Sequence, residues 1–141
     1  MANSSFKTLE DGSVLLTGDA PNKDTYVVTV RTKLTGITGF KLEALTDASL
    51  GDKKGPGRAD EPNFVLNNFK VTAASERGAR PEAVKLVAAA ASFSQPGFPI
   101  ERLLRTDNEA TAGWAIGSEV TAIIGLSSKR PSRLVSPGKP R

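Results

Sequence analysis

Apolar and polar residues alternate over several short stretches of the chain, and this alternation predicts β-strands. Residues 40–45 follow it closely, with apolar side chains at the even positions and mostly polar ones between them. Residues 25–32 are rich in valine and threonine, which strands favour. Residues 6–9 and 13–17 flank Asp11-Gly12, a strong turn signal, and therefore predict a hairpin. With 13 glycines and 9 prolines, the chain is expected to form an all-β domain.

The second half of the chain continues this pattern. Residues 63–74 predict a strand, and the offset between Leu66 and Phe69 indicates a bulge within it. Residues 82–93 suit a helix by their alanines and a strand by their small side chains, and we favour the strand. Three later elements are predicted: a short helix over 98–105, a buried strand over 113–117 and a last strand over 120–126.

Composition excludes several classes of site. The chain has no cysteine and no histidine, so disulfides, thiolate zinc sites and histidine-based catalytic triads are excluded. A metal ion would need oxygen ligands, which leaves Ca²⁺, Mg²⁺ and Mn²⁺ as candidates. No run of about 18 apolar residues occurs, so no membrane span is expected. The first residues lack the basic-then-apolar pattern of a signal peptide.

The net charge of +4 comes from one end of the chain. Five of the 19 basic residues lie in residues 126–141, which contain no acid, and this leaves 14 basic residues against 15 acidic ones elsewhere. The body is thus not expected to bind nucleic acid specifically. We expect a β-sandwich module over residues 1–126 and a basic, disordered tail over 127–141, because the tail is rich in proline, serine and basic residues.

An ordered set of short runs resembles a known module. The runs are Phe40-Lys-Leu-Glu-Ala-Leu-Thr-Asp-Ala-Ser-Leu, Gly55-Pro-Gly-Arg-Ala-Asp, Asn63-Phe-Val-Leu-Asn-Asn-Phe-Lys-Val, Ala91-Ser-Phe-Ser-Gln, Asp107-Asn, Thr111 and Gly113-Trp-Ala-Ile. Together they are similar to the discoidin-like, galactose-binding-like β-sandwich of large multidomain bacterial proteins that also carry cytochrome-c-like domains. The resemblance covers roughly residues 10–118.

The resemblance implies a fold and a ligand class. Modules of this type are jelly rolls, and many bind carbohydrate through loops at one end, often with a structural Ca²⁺. The parent proteins are expected to be exported. Two departures stand out: Glu61-Pro62 replaces a glycine-containing turn, and the closing strands of the family pattern are missing after Ile116. We therefore expect an incomplete jelly roll with a non-native C-terminus.

An acidic loop over residues 46–62 is the candidate metal site. Asp47, Asp52, Asp60 and Glu61 could supply the hard oxygen ligands that Ca²⁺ prefers. Their spacing is not that of an EF-hand. The competing interpretation is a solvated loop whose aspartates cap turns, and it is the more economical of the two.

The candidate ligand contacts are Arg58, Asp60, Asn63, Asp107, Asn108 and Trp114. Arg58 would reach a ligand or, more simply, pair with Asp47 or Asp60 and hold the loop. Trp114 would stack on a sugar or, as its small apolar neighbours favour, pack in the core. Tyr26 opens an apolar strand and is expected in the core.

Three functions remain open at this point. The first is a non-catalytic binding module, with carbohydrate as the expected ligand. The second is a metal-dependent phosphoester hydrolase that uses the acidic loop, since two carboxylate-bound ions can activate water without histidine. The third is a self-associating fragment, because missing strands would leave a sheet edge open and favour a homodimer or larger oligomer. Residues 120–126 are the expected bridging strand.

Overall fold

The structure is a computed structural model, and it describes residues 4–50, 55–60, 63–75, 78–105, 113–117 and 121–128. This part of the chain contains nine strands and one short 3-10 helix. In chain order these are β1 (Ser4–Thr8), β2 (Val14–Gly18), β3 (Gly39–Ala44), β4 (Phe64–Leu66), β5 (Val71–Ala73), β6 (Glu82–Val84), β7 (Ala88–Ala91), the 3-10 helix Ile100–Leu104, β8 (Trp114–Ile116) and β9 (Ala122–Ser127). The all-β class predicted from the sequence is confirmed.

The residues group into two compact units. Unit 1 comprises Met1–Ile37, Ala44–Phe64 and Gly117–Thr121. Unit 2 comprises Thr38–Glu43, Val65–Ile116 and Ala122–Arg141.

Unit 1 is organised around the predicted hairpin. Strands β1 and β2 run antiparallel, with Ser4 opposite Gly18 and Thr8 opposite Val14. Gly12 has a φ of 83° in the connecting turn, a conformation that glycine adopts without steric cost. The Asp11 carboxylate accepts hydrogen bonds from the backbone N–H and the hydroxyl of Ser13, which closes the turn.

Unit 2 contains a three-stranded sheet in the order β3-β9-β7. Strands β7 and β9 pair antiparallel, with Ala88 opposite Ser127 and Ala91 opposite Ile124. Along β9, Ala122, Ile124 and Leu126 are buried while the residues between them are exposed. The alanine-rich run forms strand β7 because its small side chains lie beside the larger apolar side chains of β9.

The position of β9 corrects one expectation. Residues 120–126 are predicted as an open, bridging edge, whereas β9 lies in the middle of its sheet with a strand on each side. At the end of β9, the Ser127 hydroxyl and the Ser128 N–H both donate to the Thr38 carbonyl. The sequence prediction failed because the strands that flank β9 come from earlier parts of the chain.

The strand predicted over residues 63–74 is interrupted. Its first part, β4, pairs with β8, whereas its last part, β5, pairs antiparallel with β6. The offset between Leu66 and Phe69 therefore marks the change between two sheets rather than a bulge within one strand. The predicted helix over 98–105 is present as the 3-10 helix, preceded by Pro99, which has extended backbone angles.

The strand predicted over residues 25–32 does not form. No strand, helix, turn or bend occurs between residues 24 and 35. Tyr26 is 56% exposed, so its expected place in the core is wrong. Valine and threonine favour strands only where a neighbouring strand completes the hydrogen bonding, and none of the described residues provides one here.

The sequence predicts a disordered C-terminal tail and no membrane span. Most of the tail predicted over 127–141 lies outside the described residues, which end at Ser128. Among the described residues, no helix has the length and apolar character needed to span a membrane.

Candidate functional site

Backbone hydrogen bonds link several of the described residues that precede Arg58. The Leu50 N–H donates to the Asp47 carbonyl, and the Gly55 N–H donates to the Leu50 carbonyl, each at 3.1 Å. Gly55 and Gly57 are buried, and Arg58 follows them directly. The Arg58 side chain therefore extends from backbone that directly follows a buried glycine.

Arg58 binds the end of the β1–β2 hairpin through its first terminal nitrogen. Nη1 donates to the backbone carbonyl of Thr17 at 3.2 Å and to that of Asp19 at 2.7 Å. These two carbonyls lie on either side of Gly18, whose φ is 78°. The guanidinium therefore donates hydrogen bonds to two backbone carbonyls at the point where the chain leaves β2.

The second terminal nitrogen of Arg58 faces three side chains. Nη2 lies 3.2 Å from the Ser4 hydroxyl, 3.3 Å from Asp24 Oδ2 and 3.4 Å from the Tyr26 hydroxyl. Since Nη2 carries two hydrogens, three acceptors must share them. We call this group the Arg58 cluster, and its members are Ser4, Thr17, Asp19, Asp24, Tyr26 and Arg58.

The ion pair within the Arg58 cluster is partly shielded from water. The side chains of Arg58 and Asp24 are 12% and 29% exposed. The Ser4 hydroxyl also lies 3.0 Å from Asp24 Oδ2, so the carboxylate binds both strand β1 and the loop. A charge-assisted contact of this kind is stronger than a neutral hydrogen bond.

The partner of Arg58 differs from those proposed from the sequence. Its ion-pair partner is Asp24, not Asp47 or Asp60. The sequence offers no local signal for this choice, because Asp24 lies 34 positions away. Ser4 and Tyr26 were missed for the same reason. The hydroxyl of Tyr26, a polar group on a residue in an apolar run, is the one hint that its side chain could lie at the surface.

Asp47 caps a turn. Its Oδ1 accepts a hydrogen bond from the Ser49 backbone N–H at 2.9 Å and another from the Ser49 hydroxyl at 2.6 Å. The Ser49 hydroxyl, with the backbone N–H as the smaller contribution, holds the pKa of the Asp47 carboxyl below its ordinary value. Asp11 has the same arrangement with Ser13. These contacts are those expected of a turn-capping aspartate.

The structure describes only two of the four proposed metal ligands. Asp60 is exposed and Asp47 is engaged with Ser49, while Asp52 and Glu61 lie outside the described residues. Among the described residues, no three carboxylates come together as a metal site.

The remaining candidate ligand contacts are Asn63, Asp107, Asn108 and Trp114. Asn63 is half-buried next to β4, whereas Asp107 and Asn108 lie outside the described residues. Trp114 is 0% exposed, and its indole N–H points at the Phe93 carbonyl and the Ser94 hydroxyl, at 3.1 and 3.0 Å. Core packing is therefore confirmed for Trp114, and its ring offers no open face for a sugar.

Removing the Arg58 side chain is expected to destabilise unit 1. Arg58→Ala removes the guanidinium that donates to the Thr17 and Asp19 carbonyls and pairs with the Asp24 carboxylate, and we expect a loss of about 1–3 kcal/mol. Thermal denaturation followed by circular dichroism would measure it. Arg80→Ala, at an exposed arginine of unit 2, is the matched control and should leave the midpoint unchanged. Equal midpoints for the two variants would contradict a structural role of Arg58.

Comparisons with protein-family models, with curated proteins and with solved structures return no match to this chain. A function can therefore be proposed only from the chain's own residues and from the family that its sequence resembles.

Proposed function

We propose that this chain is a non-catalytic binding module of the discoidin-like, galactose-binding-like type, with a jelly-roll β-sandwich. The ordered runs between residues 40 and 116 support this proposal, as do strands β3, β4 and β8, which lie almost entirely within those runs. A sandwich of this type presents its ligand site on loops rather than on its strands, because loops at the rim are free to vary while the sheets hold them in place.

The observation that carries the proposal is the anchoring of the Arg58 loop. Asp60 is exposed two residues after Arg58, whose guanidinium is held by the Arg58 cluster. A carboxylate can accept hydrogen bonds from neighbouring sugar hydroxyls. Because the backbone beside it is already ordered, less conformational entropy is lost when a ligand binds.

Tyr26 adds an aromatic surface in the same unit. Its hydroxyl lies against Arg58 Nη2 while its side chain remains 56% exposed. An exposed ring of this kind can pack against the apolar face of a sugar while its polar end stays bonded to the protein. We therefore assign carbohydrate contact to Asp60 and Tyr26, and a supporting role to Arg58.

A glycan array followed by titration with the best-bound sugar tests this assignment. Asp60→Ala and Tyr26→Ala should each lower the affinity about tenfold, which corresponds to about 1.4 kcal/mol. Tyr26→Phe keeps the ring and should retain binding, and Glu82→Ala, at an exposed carboxylate of unit 2, should bind as the unaltered protein does. An array without any bound glycan would overturn the proposal.

Removing metal ions with EDTA distinguishes a carbohydrate-binding module from a metal-dependent hydrolase. Sugar binding that is lost with EDTA and restored by Ca²⁺ would add a calcium ion to the module. Phosphoester hydrolysis that is lost with EDTA and restored by Mg²⁺ or Mn²⁺ would favour the enzyme instead.

We also propose that the chain forms homodimers. This proposal does not use an open sheet edge at residues 120–126. The large apolar side chains that unit 1 leaves in solvent support self-association. They are Phe6, Val14, Tyr26, Val27, Val28, Val30, Leu34, Ile37 and Leu45. Exposed apolar surface of this extent is more typical of an interaction site than of an isolated monomer.

A further inference from the structure

One segment of unit 1 has the composition of a strand but none of its partners. Residues 25–32, which we call the arm, read Thr-Tyr-Val-Val-Thr-Val-Arg-Thr. Val27, Val28 and Val30 are 85%, 84% and 73% exposed. Since Val27 and Val28 are neighbours, side chains on both faces of an extended arm would be in water.

The backbone of the arm is also unpaired within the part of the chain that the structure describes. No described residue forms a ladder with it, and the backbone bond at its start is made by a side chain, from the Thr25 N–H to the Asp24 carboxylate. Unpaired N–H and C=O groups along a β-branched segment favour pairing with another chain.

The start of the arm is held in place. Asp24 and Tyr26 belong to the Arg58 cluster, so the first residues of the arm are bound to the hairpin and to the Arg58 loop. Such an anchor reduces the entropy that the arm would lose on pairing, because part of its backbone is ordered beforehand.

We propose that the arm pairs antiparallel with the arm of a second copy of this chain, across a two-fold axis at Val28. In this register Val28 lies opposite Val28 of the partner subunit, and Tyr26 lies opposite Val30 of the partner subunit. This pairing rests on the homodimer proposed above. It uses the edge of the arm and does not involve Asp60, whereas Tyr26 takes part in both the pairing and the proposed carbohydrate contact.

Symmetry and side-chain pattern together select this register. A two-fold axis that relates neighbouring antiparallel strands is perpendicular to the sheet, so it places residues of equal parity opposite each other. The register centred on Val28 aligns the apolar row Tyr26, Val28 and Val30 with itself. The register centred on Thr29 would instead set Val27 against a basic side chain, because residue 27 would face residue 31. Cross-strand pairs of aromatic and β-branched residues are the stabilising ones.

Antiparallel pairing of two arms also avoids a charge repulsion that parallel pairing would create. In a parallel, in-register pair, Arg31 would lie beside its own counterpart, and like charges opposite each other destabilise a sheet. Antiparallel pairing separates these two charges to opposite ends of the ribbon. An eight-residue ribbon buries less than the roughly 800 Å² per partner of a standard interface, so the dimer should be weak and concentration-dependent.

Single-cysteine variants test the register directly, because the chain has no cysteine of its own. Val28→Cys places two thiols across the axis, where the Cα separation of an antiparallel pair, about 4.5–5.5 Å, suits a disulfide. Under mild oxidation, Val28→Cys should form a covalent dimer at least tenfold faster than Val27→Cys, Thr29→Cys or the distant control Ser75→Cys. All four positions are exposed, so circular dichroism should report unchanged folds.

The other outcomes overturn the proposal. Faster crosslinking of Thr29→Cys would place the axis at Thr29, and equal rates at Val27, Val28 and Thr29 would indicate a parallel or unspecific contact. Crosslinking at none of the arm positions, at a concentration where the unaltered chain sediments as a dimer, would place the interface elsewhere. Sedimentation supplies a second measurement: Val28→Lys should shift the chain to monomer, whereas Thr72→Lys, at an exposed position on β5, should not.

Discussion

Replacing Trp114 by alanine is expected to lower the free energy of unfolding by about 3–5 kcal/mol, the usual cost of removing a buried aromatic side chain. Trp114 is completely buried and lies at the start of β8, which pairs with β4. The substitution removes its apolar contacts and leaves a cavity between elements of unit 2. A small domain has only about 5–15 kcal/mol of total stability, so much of it would be lost.

Urea denaturation followed by circular dichroism would measure this loss, since Trp114 is the only tryptophan and its fluorescence disappears with it. Phe6→Ala removes an aromatic side chain that is largely exposed and is the matched control, with an expected change below about 0.5 kcal/mol. Trp114→Phe keeps most of the apolar area but not the N–H donor, so it should fall between the two. Equal midpoints for Trp114→Ala and Phe6→Ala would show that the indole is not part of the core.

Gly113→Ala is expected to destabilise the protein by about 1–3 kcal/mol, because the added methyl group has no space. A Cβ at this position would lie 2.6 Å from the Leu66 carbonyl oxygen and 2.6 Å from Val65 Cγ1. Both atoms belong to β4, the neighbour of β8. The backbone oxygen cannot turn away as a flexible side chain could, so the two strands would have to separate.

Gly125 provides the control for Gly113, because it lies within β9 and a Cβ there would meet no atom within 4 Å. Gly125→Ala should be neutral or stabilising by up to about 1 kcal/mol, since alanine restricts the unfolded chain more than glycine does. Differential scanning calorimetry of both variants would compare the two sites. A lower melting temperature for Gly125→Ala than for Gly113→Ala would contradict the close approach of β4 and β8.

Part of the fold could be predicted because its signals are local. The Asp11-Gly12 turn, the alternation over residues 40–45 and the small apolar neighbours of Trp114 each depend on residues close in sequence, and the hairpin, β3 and the buried strand β8 all form. The arm shows the limit of this reasoning. Its residues have the propensity of a strand, but propensity supplies no partner for the hydrogen bonds.

The candidate site was harder to predict than the strands. Arg58 was recognised as the residue that holds its loop, yet its contacts are with Asp24, Tyr26 and the end of the β1–β2 hairpin. No spacing rule connects positions that lie 32 to 54 residues apart. Asp47, by contrast, caps a turn with Ser49, two residues away, as its place in a polar loop indicates.

By itself, the sequence determined the all-β class and the positions of most strands and favoured the burial of Trp114, because side-chain period and turn chemistry act over a few residues. Only the tertiary structure decided that β9 lies between β3 and β7, that residues 63–74 divide between two sheets, and that Arg58 binds Asp24. These choices depend on which distant segments meet. Which segments meet depends on the burial of whole sheet faces and on the need to pair every backbone N–H and C=O group. No short stretch of the sequence determines either of these.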